Sequence, residues 1–133
     1  MKKRIVRFLS LLLLISVISG CGCKKKNNKI NNNNSQEKNI SLETKTIDDI
    51  EISNVNITYN GTDSTFTAIV TNKSFESKKI KIIDIILKDK DNNEIVTLKG
   101  LVDKTIEPNN SASINAGTGI DITNTKSIEY KID

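Results

Sequence analysis

The residue types that could do chemistry in this chain are few, and their spacing is the first thing to weigh. Asp89, Asp91 and Asn93 alternate, with Glu94 next, and alternate oxygen ligands are what a calcium loop offers. A helix-flanked calcium loop starting at Asp89 would require Gly at its sixth position and a bidentate Glu at its twelfth. Those positions hold Glu94 and Gly100, so the match fails, and a turn between two strands accounts for the same residues. Nucleophilic catalysis needs a base beside a Ser or Cys, but the chain contains no His. Ser74-Phe75-Glu76-Ser77-Lys78 lacks a Ser-x-x-Lys pattern on a helix and reads as a polar hairpin loop. Gly117-Thr118-Gly119 has no following helix and no Lys-Ser/Thr pair, so it reads as a turn rather than a phosphate loop. Asp48-Asp49 reads as a solvated pair, since two carboxylates cleaving a glycoside need a cleft between them. Asn56-Ile57-Thr58 and Asn72-Lys73-Ser74 are glycosylation triplets by pattern and incidental by context. Two Cys, Cys21 and Cys23, make neither a disulfide framework nor a four-thiolate zinc site. The expectation is a non-enzyme without catalytic or metal-binding residues; a hydrolase is the remote alternative.

The elements around these residues begin with a leader. Lys2, Lys3, Arg4 and Arg7 precede an apolar stretch over 8–18, too short for the roughly 20 residues that a spanning helix needs. The stretch ends in Ile18-Ser19-Gly20-Cys21, which resembles the lipobox of bacterial lipoproteins: an aliphatic residue, two small residues and a Cys. The resemblance implies removal of residues 1–20 and a mature chain starting at Cys21. It also implies covalent diacylglycerol on the Cys21 thiol and an N-acyl group, with no other cofactor. More than one acyl chain gives stable anchoring where one is marginal. The implied location is the extracytoplasmic face of a cell membrane, with the membrane as first partner and an envelope protein as a further one. Cys23 is an idle tether residue, a second acylation site or half of an intermolecular disulfide.

Residues 21–45 are expected to be the lipidated Cys and a disordered tether, because the Asn- and Lys-rich run over 24–40 has almost nothing to bury. As a flexible coil it spans roughly 20–25 Å. Its lysines add attraction to anionic lipid.

Residues 46–133 are expected to form the domain. Periodicity is two and β-branched residues dominate, so the fold class is all-β: a small β-sandwich of about seven strands. The strands are placed at 52–59, 65–71, 79–88, 94–98, 102–106, 111–115 and 127–132. Asn60-Gly61, Asp91-Asn92-Asn93 and Pro108-Asn109-Asn110 supply turns. In the third strand Ile80 and Ile82 have one parity and Ile83, Ile85 and Leu87 the other. Either both faces are buried or a bulge near Ile82-Ile83 changes the phase.

Three stretches carry a second resemblance: Phe66 through Asn72-Lys73-Ser74; Ile85-Ile86-Leu87-Lys88-Asp89 with the following turn; and Ile106-Glu107-Pro108-Asn109-Asn110-Ser111. Together they resemble the FxLYD domain of secreted bacterial proteins over 55–132, with Ile85 in place of Phe, Lys88 in place of Tyr and Asn109 in place of Gly. The resemblance implies an immunoglobulin-like sandwich carried on lipoproteins and supplies no catalytic residue or ligand.

The formal charge of +4 over 133 residues invites a nucleic-acid reading that its distribution removes. Basic residues concentrate before Ser41; from there on 11 Lys and Arg face 15 Asp and Glu. No positive field is left on the domain to attract phosphates. The expected function is a membrane-anchored, non-catalytic binding module using the Asn60-Gly61 turn and the 74–78 and 115–125 loops. The alternative is an accessory subunit of an envelope complex such as a transporter, wall enzyme or sensor.

Overall fold

The computed structural model describes residues 37–133. The leader, the Ile18-Ser19-Gly20-Cys21 tetrad and most of the expected tether lie outside the described residues. Eight strands follow in order: β1 (Lys38–Leu42), β2 (Lys45–Ile47), β3 (Ile50–Tyr59), β4 (Ser64–Asn72), β5 (Lys78–Lys88), β6 (Glu94–Ile106), β7 (Ser111–Thr118) and β8 (Ser127–Ile132). All pairs are antiparallel. One sheet has the order β1-β3-β4-β7, with β2 beside β1 on the same edge of β3; the other has the order β6-β5-β8. The chain passes between layers at β4–β5, β6–β7 and β7–β8, and β4 and β5 each sit centrally in their sheets, an immunoglobulin-like β-sandwich arrangement.

Alternation along each strand explains which face is buried. Phe66, Ala68 and Val70 of β4 face the other layer, beside Ala116, Ile114 and Ala112 of β7. Each large side chain stands next to a small one, so the paired strands present an even surface. Gly100 of β6 extends this economy. A Cβ there would sit 3.1 Å from Ile114 Cδ1 and 3.2 Å from Ile85 Cδ1, so its absence allows the two sheets to approach.

Two bulges keep the apolar residues inward. In β3 the register shifts between Ser53 and Asn56, with Asn54 at φ 51°, which returns Val55 and Ile57 to the face of Ile50 and Ile52. In β5 it shifts between Ile80 and Ile82, so Ile80 is followed on the core face by Ile83, Ile85 and Leu87. Ile86, on the opposite face of this central strand, is also buried.

Three boundaries differ from the sequence reading. Lys38–Leu42, expected within the 21–45 tether, is a strand, because Ile40 and Leu42 pair with Ile57 and Val55 and pack on the core. The stretches 94–98 and 102–106 are one strand, β6, which absorbs an irregularity with Asp103 at φ 43°. β7 continues past Asn115 to Thr118, pairing Gly117 with Thr65.

Candidate functional site

The three loops singled out by sequence occupy opposite ends of the sandwich. Asn60-Gly61 and the segment after β7 are at the end where the described chain begins. Asn60 Oδ1 accepts the amides of Thr62 (2.9 Å) and Asp63 (2.8 Å), which closes the β3–β4 turn. The buried Ser64 hydroxyl donates to Ile120 O (2.7 Å) and accepts from Ile122 N (3.2 Å), tying that turn to the β7–β8 segment. Lys38 is paired with Asp121 at 3.0 Å. The Thr123 hydroxyl and amide, together with Lys38, hold the Asp121 carboxyl down at about 2. This end is occupied with binding itself.

The 74–78 loop stands at the other end, where β4 leaves its sheet. Its organiser is Asn72, fully buried at the end of β4. Asn72 Nδ2 donates to Glu76 O (2.7 Å) and Ile106 O (2.8 Å), and Oδ1 accepts Ser74 N (2.9 Å) and Ser74 Oγ (2.7 Å). Its backbone amide donates to Asn110 O (3.0 Å), and its carbonyl accepts Asn109 N (2.7 Å). One side chain thus ties the β4–β5 loop to the end of β6, and its backbone ties β4 to the 107–110 turn. That turn places Pro108 before Asn109 at φ 61°, and Asn is one of the few residues at home there. Ser77 donates to Glu107, and Lys78 donates to the carbonyl of Asp48 in the β2–β3 turn.

At the tip of this cross-braced loop Phe75 is 100% exposed. A shallow hollow of about 350 Å³ beside it is lined by Asp49, Ser74, Glu76, Ser77 and Lys78. Lys73 is engaged with Glu51 at 3.3 Å, and Lys78 reaches Asp49 at 4.0 Å. Burying a Phe is worth about 1.5–3 kcal/mol. The hydrogen-bonded loop leaves this one entirely in water.

A larger groove, about 620 Å³, runs along the open side of the sandwich between β1–β2 and β8, lined by Leu42, Glu43, Lys45, Lys126, Ile128 and Tyr130 among others. Lys45 Nζ reaches across it to the carbonyl of Ile128. The Tyr130 hydroxyl is buried with no hydrogen-bond partner among the described residues, and burial pushes the phenol's pKa upward.

The Asp89 cluster is a turn. Asp89 Oδ1 accepts the amides of Asp91 (2.8 Å) and Asn93 (3.0 Å), and Oδ2 accepts Asn93 Nδ2 (3.4 Å). The Asn93 amide is the main cause holding its carboxyl below the ordinary range. Among the described residues no group of three His, Cys, Asp or Glu converges as a metal site would require. The sequence reading placed the 74–78 loop among the candidates and missed the buried role of Asn72. The available signal was Asn72-x-Ser74 straight after a strand, the pattern by which an Asn side chain closes its own turn. Compared with family models, curated proteins and solved structures, the chain matches none.

Proposed function

We propose that this chain is a lipid-anchored, extracytoplasmic interaction module. It carries no catalysis; it holds the sandwich near a membrane and presents the Phe75 end to an envelope protein. The anchor rests on Ile18-Ser19-Gly20-Cys21 after a basic and apolar leader. The binding role rests on one observation, the fully exposed Phe75 on a loop braced by Asn72. Lys38 lies opposite Tyr59, at the far end of β3 from Ile50 and Asn72. A ten-residue strand at about 3.3 Å per residue separates the two ends by roughly 30 Å. An anchor before Lys38 therefore leaves Phe75 at the end remote from the attachment.

Two experiments test this. Labelled palmitate enters the wild-type chain and not Cys21→Ala; equal labelling of both overturns the anchor. A photoreactive amino acid at position 75 captures a discrete envelope protein in intact cells. The same probe at Thr62, exposed on the opposite end, does not. Equal capture from both positions overturns the assignment of the Phe75 end. A transporter, wall enzyme or sensor recovered from position 75 identifies the accessory-subunit version of the same role.

A further inference from the structure

We propose that β8 is a self-pairing edge, through which two copies of the chain join antiparallel in a register centred on Tyr130. The three-stranded sheet then becomes one of six strands. Among the described residues β8 hydrogen-bonds as a strand only to β5, and the groove on its other side leaves that edge open.

The hydrogen-bonding phase of the edge is known from two independent contacts. Asp133 N donates to Ile82 O at 3.0 Å, so Asp133 points toward β5, and by alternation so do Lys131 and Glu129. The peptide groups of Ile128, Tyr130 and Ile132 then project to the free side. Lys45 finds the Ile128 carbonyl there, as this phase requires.

Only some self-pairing registers satisfy both backbone and charge. A register must place free-facing residues opposite one another, which excludes shifts by a single residue. Centring on Glu129 sets Glu129 against itself. Centring on Lys131 sets Lys131 against itself and Glu129 against Asp133. Centring on Tyr130 sets Glu129, which already holds Lys88 of its own copy at 2.6 Å, opposite Lys131 of the second copy, twice by symmetry, on the exposed face. The same register sets Ile128 opposite Ile132 of the second copy on the inner face, where Ile132 is half-buried in one copy. The occupant this edge fits is therefore another copy of itself. Lys45 caps one acceptor of the edge and must swing aside, which is how lysines commonly blunt an exposed edge.

The test uses the full chain in detergent micelles under reducing conditions, so that Cys21 and Cys23 cannot link copies, with mass measured by sedimentation against concentration. The wild type dimerises as concentration rises, and Lys45→Ala dimerises more tightly. Glu129→Lys and Lys131→Glu each weaken association about tenfold or more, because two attractive pairs become repulsive. An equimolar mixture of these two variants recovers the dimer, since every pair across the edge is again of opposite sign. That recovery cannot come from variants that fail to fold. A wild type that stays monomeric at all concentrations, or a mixture no better than its components, overturns the proposal.

Discussion

Replacing Asn72 removes the brace of the Phe75 loop, and its cost can be worked from the contacts. Asn72→Ala deletes four side-chain hydrogen bonds, two donated to the carbonyls of Glu76 and Ile106 and two accepted from Ser74. Net values of about 0.5–1.5 kcal/mol per bond, shared within one network, give a loss of about 2–4 kcal/mol. For a domain of this size each kcal/mol moves Tm by about 4–8 °C, so a fall of about 8–32 °C is expected in thermal unfolding followed by circular dichroism. Asn72→Asp sharpens the test. An introduced carboxylate would face two carbonyls at a fully buried position, so its folded pKa must lie above its unfolded value near 4. The stability of that variant is therefore best below the unfolded pKa and is lost as pH rises through the folded one. Asn72→Asp should be markedly less stable at pH 7 than at pH 4 relative to wild type, and Asn72→Ala should show no such slope. A loss under about 1 kcal/mol for Asn72→Ala, or parallel pH profiles for the two variants, would refute the bracing argument.

Three other outcomes follow from the packing and the charges. Tyr130→Phe removes a buried hydroxyl that has no partner among the described residues, so urea unfolding should find the variant as stable as wild type or up to about 1 kcal/mol more so. Gly100→Val puts a side chain where even a Cβ meets Ile114 and Ile85 at 3.1 and 3.2 Å; equilibrium denaturation should show a loss of about 1–3 kcal/mol. Asp121 titrates at about 2 in the fold, below the ordinary carboxylate value, so its contribution is complete above about pH 4 and is lost as pH falls through 2. Acid unfolding of Asp121→Asn should therefore have a shallower dependence over that window than wild type, and identical curves would contradict it.

The alternation in 65–71 was legible because one face of β4 is wholly apolar and the other is Thr except for Ile69, and the structure places Phe66, Ala68 and Val70 inward as that pattern requires. The parity conflict between Ile80 and Ile83 was legible as a choice between a bulge and two-sided burial. The structure uses both: a register shift after Ile80, and burial of Ile86 on the second face of a central strand. β1 was not legible. An edge strand needs only two inward residues, and Ile40 and Leu42 are separated by Ser and embedded in Asn and Lys. Nothing local distinguishes them from a tether until β3 offers a partner. The gap expected after Leu98 is absent: Gly100 continues the strand, and its missing Cβ is what the close approach of Ile114 and Ile85 requires.

The sequence by itself determined the period of two, the turn chemistry of Asn60-Gly61 and Pro108-Asn109, and the mismatch of 89–100 with a helix-flanked calcium loop. These are properties of neighbouring residues, and neighbouring residues are what a sequence displays. Only the tertiary structure decided that Asn72 is buried and carries four side-chain bonds, that Phe75 is left in water, and that Glu129 and Lys131 lie along an open edge of known phase. Each of these depends on what another strand, distant in the chain, covers or leaves uncovered. Burial and edge position are therefore facts about pairs of segments, and no single segment contains them.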